Sequence, residues 1–487
     1  MRRANILILI AFAAFVSGAI VLIMNWGSLT RVSRRKPNVL LIVSDALRKD
    51  VLGCYGGEAI TPHIDWLAKN GAMFTQAYAT APCTIPSSIA MFTGNYAKCY
   101  IMVLDRLEHE WAKYIYRVPS AQVLYGEVFR EQGIDTRMSV ENELAIRTNN
   151  AQGFIPLLEK QELSDESIRQ IENATGLSGD VDLRYEHNFG LFHYFLTLPE
   201  NRRFFIVKWF MDPHPPYDPP ESFKTSLDAD ADRLPRNLSF YSRVVNLNEI
   251  EWSESEAHML RQLYGSEVES VDERIGAILG LMRKENLLES TYIILTSDHG
   301  ESLGERGKGW KHQHRFWQDI INVPLIFFGP DIEEGIVLEN KVSHVDLMPT
   351  ISDLLKTGYD RNTFGGSYAP LLFSDKRDSR DIFMDSSSQA LTSENFDDCA
   401  LISGDYKYWQ HYRGDKLFNI DLDPKEQNNL IDSHPQIAVR LREKMTFFLN
   451  EIEGVRSRNI RHVYEKFDVK AHNEKTLEKL RSLGYIK

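Results

Sequence analysis

The chain has 487 residues, 43% of them apolar and 25% charged, enough for one large core and a smaller accompanying unit. A formal charge of −12 leaves no basic footprint for a phosphodiester backbone and excludes a nucleic-acid binder. Cys54, Cys83, Cys99 and Cys399 are too few for a disulfide scaffold and lack the spacing of a metal knuckle.

Met1-Arg2-Arg3-Ala4-Asn5 leads into the apolar run 6–24, whose length suits one bilayer-spanning helix. We read it as a retained membrane anchor rather than a cleaved signal. The run is long for a signal core, and no small-x-small site follows it. Arg2 and Arg3 favour an inside N-terminus, whereas Arg31, Arg34, Arg35 and Lys36 pull the other way. The remainder of the chain is expected outside the cytoplasm, in a periplasm or at a cell surface.

The run Asn38-Val39-Leu40-Leu41-Ile42-Val43 is rich in β-branched residues and ends in Ser44-Asp45, the pattern of a strand covered on both faces. Runs 203–210, 291–296 and 323–328 are of the same kind, and helix-like patterns at 64–69, 124–131 and 268–284 alternate with them. This alternation predicts an α/β fold with a large, mostly parallel central sheet flanked by helices. Ligands of such sheets bind beyond the carboxyl ends of the strands, where Asp45, Asp212 and Asp298 all fall. Residues 180–198 read as helical or irregular. Residues 212–238 read as a long loop, stiffened by Pro213, Pro215, Pro216, Pro219 and Pro220. Beyond a short helix ending at Leu355, runs at 382–384, 399–402, 406–409 and 416–419 predict a small antiparallel sheet, with a helix over 435–449 packed on it. The predicted organisation is an anchor and linker over 1–36, a main unit over 37–375, a C-terminal subdomain over 376–455 and a charged helical tail over 456–487.

The segment Ala81-Pro82-Cys83-Thr84-Ile85-Pro86-Ser87-Ser88, followed by an apolar helical run to Gly94, carries the most information. It holds the Thr84 hydroxyl between a buried strand and a helix, with Pro82 and Pro86 restricting the backbone. Ser87 or Ser88 is a candidate cap for that helix, whose N-terminus would favour a tetrahedral anion. A threonine hydroxyl is a weak nucleophile until a cation stabilises its alkoxide. Cys83 is the rival, but no His or Arg lies beside it in sequence, which is the setting of a small buried thiol.

Taken singly, Asp45 is equally suited to capping a helix, and Asp298-His299 to structural hydrogen bonding. Together with Thr84 they supply two carboxylates, one imidazole and one hydroxyl. That mixture favours Zn²⁺ or Mn²⁺ over the all-oxygen cages of Ca²⁺, with Ca²⁺ and Mg²⁺ as alternatives. His214, held between Pro213 and Pro215, is a candidate to bind a substrate oxygen, ligate a second ion or protonate a leaving group. His312 and His314 point to the same side of an extended chain, which suits a second metal position, and spacing does not choose between them. Lys311 would counter substrate charge.

Further ordered segments accompany these. They are Asn38-Val39-Leu40-Leu41-Ile42-Val43-Ser44-Asp45-Ala46-Leu47-Arg48, Leu52-Gly53-Cys54-Tyr55-Gly56, Thr61-Pro62-His63-Ile64-Asp65, Ser297-Asp298-His299-Gly300-Glu301, and Leu417-Phe418-Asn419-Ile420-Asp421-Leu422-Asp423-Pro424. With His214-Pro215-Pro216-Tyr217 and Thr84-Ile85-Pro86, they resemble the sulfatase branch of the alkaline phosphatase superfamily over roughly residues 37–450. The resemblance implies an alkaline phosphatase-like sandwich, metal ligands at Asp45, Asp298 and His299, and the nucleophile at Thr84.

In that family's sulfatases the nucleophile position holds a Cys or Ser that is oxidised to formylglycine. Here Cys83 is one place early, and oxidation of Thr84 would give a ketone. Ser88 stands where an Arg is expected, Ala46 where a second Asp is expected, and Asp298-His299 where calcium sulfatases carry Asp-Asn. A Lys-x-His sulfate grip is missing near 138–142, with Asn142 as the stand-in. These departures point to the superfamily's threonine phosphodiesterases and phospho-group transferases, using one or two divalent ions. They rank phosphoester above sulfoester chemistry. The implied partner is an anionic ester, such as a lipid head group or an envelope glycan. A sulfuric ester hydrolase and an inactive binding protein that keeps the fold are the alternatives.

Overall fold

A computed structural model describes residues 36–106, 112–120, 122–177, 187–215, 217–226, 253–305, 312, 315–358, 363–374, 380–386, 398–411 and 413–466. The apolar run 6–24, Lys311, His314 and the tail beyond Lys466 lie outside the described residues. No described helix is long and apolar enough to cross a membrane.

The strand expected at 38–43 is β1 (Asn38–Ser44), buried at every position. In chain order there follow β2 (Ala72–Tyr78), a separate hairpin of β3 (Ile101–Arg106) and β4 (Ala112–Arg117), β5 (Asp135–Val140), β6 (Ile155–Pro156), β7 (Phe204–Phe210), β8 (Thr291–Thr296), β9 (Asn322–Phe328), β10 (Ile336–Leu338) and β11 (Val342–Ser343). Apart from the hairpin they form one nine-stranded sheet in the order β10-β2-β9-β8-β1-β7-β5-β6, with β11 beside β2. β1 lies at the centre, parallel to β7 and β8. The exception to the parallel pattern is β9, antiparallel to both β8 and β2.

Along β1, side chains alternate between two cores, as a doubly covered strand must. Leu40 and Ile42 join α1 (Pro62–Lys69), α4 (Asp165–Thr175), α5 (Phe189–Thr197) and α6 (Glu254–Lys284) on one face. Val39, Leu41 and Val43 face the other layer, with α2 (Thr84–Thr93), α3 (Tyr125–Glu131), α8 (Leu347–Leu355) and α9 (Ala369–Leu372). Helix α7 (Gln318–Ile321) is the single turn before β9.

The C-terminal runs form an antiparallel four-stranded sheet, β12 (Ile382–Asp385), β13 (Cys399–Ser403), β14 (Tyr406–Gln410) and β15 (Lys416–Asn419). Its helix α10 runs over Pro435–Lys466, well beyond the expected end at 449. The cause is visible in the spacing: Ala438, Leu441, Met445, Leu449, Ile452 and Val455 continue one apolar face at intervals of three and four residues. The expected tail from Arg456 therefore begins inside the helix.

Buried charges tie the layers together below the carboxyl end of the sheet. Glu141, just after β5, receives Lys208 of β7 at 2.9 Å and Arg274 of α6 on Oε1, and the Met211 amide on Oε2 at 3.1 Å. Arg274 also reaches Asp212 Oδ2 at 3.3 Å. Burial alone would raise the Glu141 carboxyl, but the two cations hold it down to about 2. A carboxyl depressed below its ordinary 4.5 adds stability that is fully present above that pH and is lost as pH falls towards 2. Glu141→Gln leaves Lys208 and Arg274 without their counter-charge and is expected to cost about 3–5 kcal/mol at pH 7. The deficit should shrink at pH 3. Urea unfolding of both proteins at the two pH values checks this, and equal stability at pH 7 would contradict it.

Candidate active site

Two strand ends build the centre. Asp45 leaves β1 with its amide bonded to Phe210 O at 3.0 Å, and its side chain is fully buried. Oδ2 accepts hydrogen bonds from Asn142 Nδ2 at 2.6 Å and Trp209 Nε1 at 3.3 Å. Oδ1 has no hydrogen-bond partner among the described residues and lies 3.7 Å from His299 Nε2. The next residue, Ala46, has φ 59°, a left-handed conformation that a residue with a Cβ adopts at a cost. That turn aims the Ala46 amide at Asp298 Oδ1, 3.1 Å away.

Asp298 follows β8 and is also fully buried. Its Oδ1 takes the Ala46 and His299 amides, while Oδ2 lies 3.3 Å from His299 Nε2, with the Thr84 hydroxyl beside the carboxylate. His299 Nδ1 donates to Gly300 O at 2.8 Å, which directs the lone pair of Nε2 towards the two carboxylates. Gly300 is required where it stands, because a Cβ there would lie 2.1 Å from Asp319 O.

The ligand atoms of Asp45, Asp298 and His299 all lie within 4.8 Å of one another. Burial and mutual repulsion push the Asp45 carboxyl up to about 6. Burial does the same to Asp298, and it drives the His299 imidazole down to about 3. Two inward carboxylate oxygens and one neutral imidazole nitrogen, within 4.8 Å of one another, fit a divalent cation in both number and chemistry.

Thr84 opens helix α2, and its Oγ1 is 3.4 Å from His299 Nε2. Because the helix starts at Thr84 itself, Ser87 and Ser88 are not its caps. Ser87 Oγ donates to Ala81 O and Ser88 Oγ to Ile85 O, both at 2.9 Å. The cap position belongs to Cys83, whose side chain makes no capping bond. Asn142, expected as a grip on substrate, instead holds Asp45 through Nδ2, and its Oδ1 accepts the Leu144 amide at 3.0 Å.

On the other side of the centre, the His312 ring stacks on His299 with centroids 4.2 Å apart, and His214 lies 5.2 Å from His312. His214 Nδ1 is held by Pro215 O at 2.8 Å. Asp212 is drawn into the Arg274 ion pair beneath the sheet end. The structure thus brings together Asp45, Thr84, Asn142, His214, Asp298, His299 and His312, while Lys311 and His314 are not described.

Three neighbours went unnoticed in the sequence. Trp209 donates to Asp45. Glu301 is fully buried, raised to about 7 by that burial, and bonded to His312 Nδ1 at 2.9 Å. His344, which follows β11, is buried beside the Ser297 backbone, and burial lowers its imidazole to about 3. Only Glu301 had a sequence signal, as a charge two residues beyond His299 at the same strand end.

Comparison with known proteins bears on the family and the fold. Mouse arylsulfatase K is 24% identical over 465 residues, covering 85% of this chain and 79% of the relative. An arylsulfatase of Clostridium perfringens is 24% identical over 470 residues, covering 86% and 95%. The crystal structure of the phosphonate monoester hydrolase of Agrobacterium radiobacter superposes with a TM-score of 0.63 at 18% identity, covering 87% of this chain and 96% of that one. The sulfatase family profile matches residues 37–357, about two thirds of the sequence and the whole of the strand-end centre, and this chain belongs to the sulfatase family.

Proposed function

We propose that the chain is a metal-dependent ester hydrolase or phospho-group transferase whose nucleophile is Thr84. The observation that carries this reading is the Thr84 hydroxyl, at the first position of α2, 3.4 Å from His299 Nε2 and beside the Asp298 carboxylate, with Asp45 Oδ1 lacking a hydrogen-bond partner among the described residues. A divalent cation held by Asp45, Asp298 and His299, with Zn²⁺ or Mn²⁺ favoured by the mixed donors, would neutralise charge on the attacking and non-bridging oxygens. The N-terminal end of α2 favours the same anion.

Asn142 and Trp209 keep Asp45 oriented. Thr84 Oγ1 gives its proton to solvent water; the Oγ1–P bond then forms as the bond to the leaving alcohol breaks, and protonated His214 gives that leaving oxygen its proton. Water or an acceptor alcohol then displaces Oγ1 and returns a proton to His214. Phosphoester chemistry is favoured because Thr84 cannot form the aldehyde and Ala46 supplies no further carboxylate. Sulfate-ester hydrolysis is the second reading, with the arylsulfatase relatives in its favour. We further propose residues 6–24 as an anchor that holds the domains at 37–375 and 376–455 outside the cytoplasm, near lipid head groups or envelope glycans.

Turnover of bis(4-nitrophenyl) phosphate, a phenylphosphonate ester and 4-nitrophenyl sulfate with Mn²⁺ or Zn²⁺ tests the assignment. Thr84→Ala is expected to lower kcat on the diester by about 10³-fold or more while keeping metal stoichiometry, and Cys83→Ala to stay within a few-fold of wild type. The reverse ranking would transfer the nucleophile to Cys83, and faster sulfate release would favour the second reading.

His214→Asn is expected to slow diesters with alkyl leaving groups by roughly 10²-fold or more, and to spare those leaving as nitrophenolate, which need no proton. Equal loss on both would remove His214 as the acid.

A further inference from the structure

The C-terminal sheet stands far from Thr84 in sequence, yet one buried ion pair ties it to the metal loop. Lys407 of β14 and Glu426, in the turn after β15, are paired with both side chains fully buried. Each also reaches beyond the pair. Lys407 Nζ donates to Phe316 O, and Glu426 Oε2 accepts the Gln318 amide at 2.8 Å. Between these points the Trp317 ring packs on Trp409 at 5.0 Å and on Phe418 at 5.7 Å.

The held segment runs straight into α7, where Ile320 O accepts the Gly300 amide at 2.6 Å and Ile321 O accepts the Ala79 amide at 2.8 Å. Gly300 is the residue whose carbonyl orients the His299 ring, and Ala79 lies on the segment between β2 and Thr84. The two backbones are closely packed here, since a Cβ on Gly300 would lie 2.1 Å from Asp319 O.

A buried ion pair seldom stabilises a fold better than apolar residues of equal volume. The atoms of this one are aimed at the backbone of the segment beneath the centre, and Glu426 takes a left-handed φ of 53° to reach it. We infer that Lys407 and Glu426 are positioning residues for the metal centre: by fixing Phe316–Gln318 they set the height of Gly300 and of the Thr84 segment, and so the approach of His299 to Thr84. The inference rests on the proposed role of His299 as a metal ligand.

The test compares full-length wild type with Lys407→Met, Glu426→Gln and a control, Leu401→Ala. Leu401 is fully buried in the same sheet but packs in the α10 core, away from Trp317. Mn²⁺ affinity by calorimetry, kcat and KM on bis(4-nitrophenyl) phosphate, and melting temperature are measured well below the transition. Both ion-pair variants are expected to bind Mn²⁺ about 10-fold or more weakly and to lose kcat with little change in KM. The control should melt earlier yet bind Mn²⁺ as wild type does. Glu426→Gln, isosteric, carries the test alone if Lys407→Met does not fold. Wild-type Mn²⁺ affinity in the ion-pair variants, or an equal loss in the control, overturns the inference. Failure of the wild type to bind Mn²⁺ or Zn²⁺ would overturn the metal assignment and this inference with it.

Discussion

Two carboxylates meet in the dry end of the sheet, and the rest of the molecule is arranged around the cost of keeping them there. Asp45 and Asp298 sit at the ends of neighbouring parallel strands, each with one oxygen fully engaged by protein donors and the other facing its counterpart. Burial pushes both carboxyls well above the ordinary range, and at Asp45 the neighbouring Asp298 charge adds to it. A cation resolves the conflict. Without one, the two groups would be among the most expensive in the core.

Every layer contributes to holding that conflict in place. The left-handed turn at Ala46 turns a backbone amide onto Asp298, and Tyr264 of α6 locks the same turn by accepting from the Arg48 amide and donating to the Ala46 carbonyl, both at 2.8 Å. Below, the Glu141–Lys208–Arg274 cluster anchors the start of the His214 loop and the residue preceding Asn142. Function-bearing groups thus come from loops, while their coordinates are set by strands and by charges buried beneath them.

What the sequence made legible follows from the same physics. β1, β7 and β8 are continuous apolar runs because both faces are covered, and the acidic residues that end β1 and β8 stand out against them. β2 and β5 were not legible as strands: Thr75, Gln76, Arg137 and Ser139 break the pattern at positions only partly buried. The direction of β9 could not be read at all, since hydrophobicity marks a strand without marking which way it runs. In the site, residue types pointed to the candidate cation ligands, but pairings across the fold were out of reach. Asn142 and Trp209 converge on Asp45 from 97 and 164 residues away, and no local spacing encodes that meeting. The helix cap was misplaced for a simpler reason, since α2 begins at Thr84 and not after it.

The turn at residue 46 carries one more consequence. Left-handed backbone suits a short acidic side chain better than it suits a methyl group, so alanine occupies a conformation from which it gains nothing itself. The shape is retained for the amide it presents, and it leaves open a position where a third carboxylate would meet little backbone resistance. An exchange of Ala46 for an acidic residue would therefore keep this turn, and the amide it presents to Asp298, without rebuilding either strand.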